Sequence, residues 1–114
     1  MVSRTFVPDV GDFVWLNFDS QVGREQAGRR PALVVSPKDY NQTVGLALVC
    51  PVTSQVKGYP FEISAPPGTP IKGVILADHI KSVDWKARNA AYIRDAPRGL
   101  TLQMLGMLES LMDA

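Results

Sequence analysis

Three short clusters of side chains in this sequence can bind a phosphate or activate a nucleophile. The first is residues 24–31 (REQAGRRP), where three guanidinium groups and one carboxylate stand at the entrance to an apolar run. Guanidinium groups bind phosphate oxygens through two parallel hydrogen bonds, so the segment predicts a phosphate-binding loop. The same residues also fit a solvated polar loop with a local ion pair, and composition does not choose between the two.

The second cluster is residues 51–55 (PVTSQ), in which the hydroxyls of Thr53 and Ser54 follow an apolar run. Hydroxyls at the end of a strand can face a substrate, but they more often satisfy the backbone of the next turn. Both interpretations stay open for this pair.

The third cluster is residues 57–61 (KGYPF), which combine the ammonium group of Lys57 with the rings of Tyr59 and Phe61. Aromatic rings beside a cation are suited to stack single-stranded bases. The two rings share a face of an extended strand, where core packing is the better interpretation for Phe61. Together the clusters predict an electropositive groove that carries hydroxyls, without identifying its substrate.

Scarce residue types exclude several other kinds of site. One histidine, His79, and one cysteine, Cys50, cannot supply the three or four nitrogen and sulfur ligands of a typical metal centre. The glycine-rich loops that bind dinucleotides or nucleoside triphosphates are absent, as is the nucleophile motif of α/β-hydrolases. We therefore expect no metal and no cofactor. With 12 Lys and Arg against 11 Asp and Glu, any nucleic-acid site must be a local patch.

The length and the turn-forming residues predict one small domain over residues 1–114. Nine glycines and nine prolines imply frequent turns and hence short strands. The apolar neighbours of Cys50 predict a buried free thiol, which fits a reducing cytoplasm. No signal-peptide core is present, and the longest uncharged run, residues 40–56, is too short and too polar to cross a bilayer.

The elements that must position these clusters are predicted to be short strands. Residues 12–19 alternate so that Val14, Leu16 and Phe18 face inward, with Phe13 and Trp15 on the opposite face. The central strands are expected over 30–36 and 44–53, and they are either buried on both sides or face an interface. The other elements are a long loop over 20–31, a helical turn over 37–43, and strands over 59–64, 73–85 and 90–94.

Only the C-terminus is predicted to be clearly helical. From Thr101, the expected N-cap, one arc carries Met104, Met107, Leu108 and Leu111. The fold class expected from the residues is therefore mainly β with a C-terminal α-helix, as a strongly bent antiparallel sheet or SH3-like barrel of about six or seven short strands.

Four segments, in order and spacing, resemble the MazF/PemK family of toxin endoribonucleases. They are residues 8–19 (PDVGDFVWLNFD), 23–37 (GREQAGRRPALVVSP), 50–63 (CPVTSQVKGYPFEI) and 76–85 (LADHIKSVDW). The likeness as a whole covers nearly the whole chain. The resemblance implies a homodimer of SH3-like barrels with the plasmid-maintenance-toxin fold. It also implies metal-independent cleavage of single-stranded RNA, chiefly messenger RNA, at short sequence motifs, which arrests translation and growth. The expected products are a 2′,3′-cyclic phosphate and a 5′-hydroxyl, and the expected partner is an antitoxin with an acidic, flexible tail.

The resemblance also assigns roles to residues. Carried over by position, the family's catalytic arginine is Arg30, its catalytic threonine is Thr53 and its loop carboxylate is Glu25. Candidate RNA contacts are Lys57, Tyr59, Arg29, Ser54 and Asn41. Two positions depart from common family residues: Arg29 replaces a histidine of some relatives, and His79 replaces a glutamine, which bears on base preference and pH response.

A second class of function remains open at this stage. The same barrel serves a related type of toxin that poisons DNA gyrase without cutting nucleic acid, and an RNA-binding relative without activity would carry the same fold. The presence of Arg30 and Thr53 in their motif contexts favours the nuclease.

Overall fold

Seven strands and two helices make up the described part of the chain, residues 6–18, 28–67 and 71–113 of a computed structural model. The strands are β1 (Asp12–Phe18), β2 (Gly28–Val34), β3 (Ala47–Thr53), β4 (Glu62–Ser64), β5 (Val74–Leu76), β6 (Lys81–Val83) and β7 (Ala91–Asp95). Helix α1 (Lys38–Val44) joins β2 to β3, a 3₁₀ turn (Ala77–His79) follows β5, and helix α2 (Arg98–Met112) comes last. The predicted mainly-β class with a C-terminal helix is confirmed.

Strand β3 is the centre of an antiparallel sheet with the order β4-β5-β3-β2-β1-β7. Its middle pairs with β2 in the register Ala32 to Pro51 and Leu33 to Cys50. Its first residues pair with β6, and its last two residues pair with β5. Because β3 pairs with three other strands, the sheet must bend around it.

The bent sheet buries side chains on both faces. One core contains Phe13, Leu33, Cys50 and Ile75, and the inner face of α2 packs against it. The second core contains the predicted inward set Val14, Leu16 and Phe18, together with Val49 and Trp85. Successive residues of a strand point to opposite faces, so both sets of side chains are apolar. The expectation that Phe13 faces away from the core was wrong for this reason, whereas burial of the central strands on both sides is confirmed.

Helix α2 begins one turn earlier than predicted. The amides of Leu100 and Thr101 donate to the carbonyl oxygen of Pro97, at 3.0 and 3.1 Å, so Pro97 rather than Thr101 is the N-cap. Met104 and Leu108 are buried as expected, but Leu111 is 39% exposed, because the core contacts of the helix lie in its first three turns.

Asn41 has a structural position inside the molecule. Its side-chain amide donates to the carbonyl oxygens of Pro8 and Ser36, at 2.8 and 3.0 Å, and its Oδ1 accepts from the Ser36 hydroxyl. Its own carbonyl accepts the Trp85 indole N–H at 3.0 Å. The side chain is fully buried, so the hypothesis that Asn41 contacts RNA does not fit its placement.

Two further properties of the described residues bear on the sequence predictions. Cys50 is a buried free cysteine, so that prediction is confirmed. Burial raises the pKa of its thiol to about 12, with the charge of Asp78 acting in the same direction. Neither α1 nor α2 has the length and apolar character needed to cross a membrane.

We predict that Asp12→Asn stabilises the protein at pH 8 and not at pH 4. Burial, reinforced by the nearby carboxylates Asp95 and Asp9, raises the pKa of Asp12 from 3.8 to about 6. The folded state therefore binds the proton more tightly than the unfolded state, and stability falls as pH rises from about 4 through 6. The full pKa difference corresponds to at most about 3 kcal/mol, which screening of a partly exposed carboxyl reduces to roughly 1 kcal/mol.

Thermal unfolding of both proteins at the two pH values measures this effect. The asparagine keeps an oxygen that can accept the Asp9 amide, which donates to Asp12 at 2.9 Å in the native protein. An equal gain at pH 4 and pH 8 would contradict the prediction.

Candidate active site

The pairing of β2 with β3 brings Arg30 and Thr53 to the same end of two neighbouring strands. Arg30 lies two residues before Ala32, and Thr53 lies two residues after its partner Pro51. The register between the two strands ends at Ala32 and Pro51, so Arg30 and Thr53 lie just beyond it at the same end. Arg30 belongs to β2 together with Arg29. The prediction of one loop through residue 31 was therefore wrong at its end, while Glu25 lies outside the described residues.

Thr53 is held rigidly although it ends its strand. It is 5% exposed, its backbone pairs with Val74, and its Oγ1 accepts the amide of Gln55 at 3.1 Å. The Thr53 hydroxyl therefore bonds the backbone of the following turn, which is one of its two interpretations from the sequence. A hydroxyl that accepts one hydrogen bond still carries its own proton, so Thr53 retains a donor.

Arg30 lines a cavity of about 450 Å³ that we call the Arg30 pocket. Its other lining residues are Trp15, Arg29, Pro31, Val52, Ser54 and Lys72. The pocket combines three cations with a large aromatic ring and an exposed hydroxyl, a lining suited to a phosphate and its neighbouring base.

Arg29 is anchored by its own hydrogen bonds. Its guanidinium donates to Oδ1 of Asn17 at 2.9 Å and to the carbonyl oxygen of Asn89 at 3.0 Å. These bonds join β2 to β1 and to the turn before β7. Its charge still faces the Arg30 pocket, but part of its donor capacity is already used.

A second cavity, of about 380 Å³, lies on the other side of the end of β3. This Tyr59 pocket is lined by Thr53, Gln55, Lys57, Tyr59, Glu62, Leu76, Asp78 and His79. Arg30 and Thr53 thus line two different pockets. Residues at the end of β3 contribute to both, Val52 and Ser54 to the Arg30 pocket and Thr53 and Gln55 to the Tyr59 pocket.

The segment between β3 and β4 is fixed by side chains. Glu62 accepts the amides of Lys57 and Gly58, at 2.9 and 2.8 Å, and the Tyr59 hydroxyl donates to Oδ1 of Asp78 at 2.7 Å. Loss of hydration, together with the hydrogen bond to Asp78, raises the pKa of Tyr59 to about 12, so its phenol remains a donor at neutral pH.

The predicted strand over residues 59–64 is shorter than expected. Only Glu62–Ser64 pairs with β5, because Pro60 and Phe61 form a turn in which the Glu62 amide donates to the Tyr59 carbonyl oxygen at 3.2 Å. The rings of Tyr59 and Phe61 are in edge contact, with centroids 6.3 Å apart, and Phe61 packs against the core as predicted.

Sequence reasoning missed Glu62, Asp78 and Lys72 as parts of the site. Glu62 closes a short turn by accepting the Lys57 amide, but a single acidic residue near basic residues forms no recognisable sequence motif. Lys72 is close to Arg30 only because β5 pairs with the end of β3. Among the described residues, no group of three or more His, Cys, Asp or Glu side chains could hold a metal ion.

Residues 9–112 match the model of the PemK-like, MazF-like toxins of type II toxin–antitoxin systems. The chain belongs to this family.

Relatives of the family support the assignment along most of the chain. The endoribonuclease toxin MazF of Escherichia coli K12 is 53% identical over 90 residues, which are 79% of each chain. The crystal structure of MazF from Deinococcus radiodurans superposes with a TM-score of 0.90 at 50% identity and covers 96% of this chain and 100% of that one. A MazE–MazF structure from the same organism gives a TM-score of 0.85 at 51% identity, with 95% and 97% covered.

We predict that Gly73→Ala destabilises this family member more than Gly45→Ala. Both glycines have left-handed backbone, with φ of +98° and +81°, where an L side chain costs about 1–2 kcal/mol. Only at Gly73 would the new Cβ overlap the carbonyl oxygen of Thr53 and lie 2.8 Å from Cα of Ser54, whereas Gly45 has open space. Overlap with the backbone adds about 1–3 kcal/mol.

Urea unfolding of the two variants and the wild type measures the difference, and Gly45→Ala isolates the cost of the backbone conformation alone. Equal destabilisation of the two variants would show that the Gly73–Thr53 contact is not tight.

Proposed function

We propose that this protein cuts single-stranded RNA, chiefly messenger RNA, within short sequence motifs, by transesterification at the end of β3. The ribose 2′-oxygen attacks the adjacent phosphorus, and the bond to the 5′-oxygen breaks. The products carry a 2′,3′-cyclic phosphate and a 5′-hydroxyl. The observation that carries the proposal is the β2–β3 register, which brings Arg30 and Thr53 to one end of the sheet in a chain of this family.

The class of activity follows from the family. The protein is an endoribonuclease toxin of a toxin–antitoxin pair, as the identity with MazF supports. Its cleavage of messages would arrest translation and growth. The site needs no metal for this reaction, because positioning of the 2′-hydroxyl and donors aimed at the phosphate can supply the rate.

Arg30 and Thr53 have complementary roles in the reaction. The Arg30 guanidinium donates two hydrogen bonds to the non-bridging oxygens of the pentacoordinate phosphorus, where negative charge develops. The Thr53 hydroxyl donates a third hydrogen bond or protonates the leaving 5′-oxygen. A guanidinium stays protonated at neutral pH and is a poor base. Glu25 either accepts the 2′-hydroxyl proton or orients Arg30.

The RNA strand passes from the Arg30 pocket to the Tyr59 pocket, with the scissile phosphate at their boundary. Ser54 and Arg29 bind it on the first side, and Lys57 and Tyr59 on the second. Lys57 is exposed, so its ammonium can reach a phosphate, and Tyr59 lines the second pocket. His79 in the same pocket bears on the choice of base.

The partner of the toxin is an antitoxin with an acidic, flexible tail, and the toxin acts as a homodimer in the cytoplasm. The similar MazE–MazF structure supports the antitoxin, and the three cations of the Arg30 pocket suit an acidic segment. Exposed apolar side chains along α2 offer area for a second copy, with Leu102 at 56% and Met112 at 70% exposure.

We predict that Arg30→Ala cuts single-stranded RNA about 10²–10³ times more slowly than the wild type, because one preorganised group of donors is lost. The assay contains EDTA, and the new ends are examined for cyclic phosphate. Arg98→Ala, which changes an exposed arginine at the start of α2, is the matched control and should keep the wild-type rate.

A second substrate tests the nucleophile. RNA with a 2′-O-methyl group at the scissile position should remain uncut. Cleavage of that substrate, or a folded Arg30→Ala protein at the wild-type rate, would refute the mechanism. A wild-type protein that binds RNA without cutting it would instead support the non-catalytic alternative.

We predict that Lys57→Ala weakens RNA binding for all sequences alike and lowers the salt dependence by one phosphate contact. For single strands the slope of log K against log salt changes by about 0.7 per contact. Titrations of uncleavable 2′-O-methyl strands of several sequences measure the slope. Lys38→Ala, on the exposed surface of α1, should leave it unchanged. An effect limited to one sequence would assign Lys57 to base recognition.

A further inference from the structure

Glu62 is an unexpected residue for an RNA-binding pocket. It lines the Tyr59 pocket next to Lys57, where its carboxylate opposes the phosphates that the cations attract. On electrostatic grounds alone, its replacement by a neutral residue would improve RNA binding. Its presence therefore calls for a structural reason.

Both oxygens of the Glu62 carboxylate are used by neighbouring backbone amides. Oε2 accepts the amide of Lys57 at 2.9 Å, and Oε1 accepts the amide of Gly58 at 2.8 Å. Hydrogen bonds to an ionised acceptor are about twice as strong as those between neutral groups. The carboxylate thus holds the backbone at the residue that carries the proposed phosphate-binding ammonium.

The anchor itself is rigid. Glu62 is the first residue of β4, pairs with Leu76 of β5, and is followed by the buried Ile63. One residue beyond Gly58, the hydroxyl of Tyr59 is held by Asp78 in the 3₁₀ turn after β5. The segment that carries Lys57 and Tyr59 is therefore tied to the β4–β5 pair at two successive points.

We propose that Glu62 is a positioning residue for RNA binding, which fixes the backbone of Lys57 and Gly58 so that the segment carrying the Lys57 side chain is already ordered before RNA arrives. This inference rests on the proposed function. A preordered segment loses less conformational entropy when RNA binds, so the gain in affinity exceeds the repulsion of one carboxylate. Glu62 does not touch the reacting atoms.

The test uses Glu62→Gln, which keeps one acceptor oxygen but turns an NH₂ group toward the second amide. We expect binding of an uncleavable 2′-O-methyl strand to weaken about tenfold, as for the loss of one charge-assisted hydrogen bond. The rate at saturating RNA should stay within about twofold of the wild type, and the amides of Lys57 and Gly58 should exchange with deuterium faster. Glu62→Asp keeps both oxygens and should recover part of the affinity.

Glu109→Gln is the matched control, because it removes the same charge from the exposed surface of α2. Binding by Glu62→Gln that equals or exceeds that of Glu109→Gln would overturn the proposal, as would a fall in the saturated rate without a change in affinity. Failure of the wild type to cut RNA would count against the proposed function instead, and the exchange rates and affinities would still decide the role of Glu62.

Discussion

The register between β2 and β3 is the constraint on which the site depends. A shift of one residue would turn every side chain of β3 to the other face of the sheet. Cys50 would then leave the first core, and Val49 would leave the second. Since both faces are buried, neither the strand nor its neighbours can slip without losing a core, and Arg30 and Thr53 are held at the same end. Core packing thereby fixes the geometry of a site to which the core contributes no chemistry.

The sequence predicted the fold class and the elements well where the pattern of apolar residues was continuous. The central strands, the short helix after β2 and the inward set Val14, Leu16 and Phe18 were all found as expected. Predictions failed where a boundary depended on tertiary contacts. Alternation alone places Phe13 on the outer face, because it does not reveal that the sheet is covered on both sides. Thr101 has the side-chain oxygen typical of an N-cap, whereas the N-cap in the structure is Pro97, which makes no side-chain cap bond.

The cations and hydroxyls of the candidate site could be predicted from the sequence, but its carboxylates could not. Arginine pairs and hydroxyls at a strand end are local patterns with a known chemistry. Glu62 and Asp78, in contrast, act on residues four to nineteen positions away through bonds that exist only after β4 and β5 have paired. Asn41 is the reverse case, since this candidate for an RNA contact is buried and its hydrogen bonds connect separate segments.

The roles proposed for these residues divide them into donors that must be rigid and a cation that must reach into solvent. Stabilising the charge that develops on a phosphate requires donors that are already oriented, and Arg30 and Thr53 belong to strands whose neighbours are packed on both sides. Arg29 contributes to that rigidity by donating hydrogen bonds to Asn17 and Asn89. Capturing a flexible strand of RNA requires a cation that extends into solvent, and Lys57 is exposed on a segment between strands. Such a segment would be free to move and would lose affinity for that reason, unless it were tied to the sheet. A carboxylate of the sheet is suited to that task, because it can accept two adjacent amides at once.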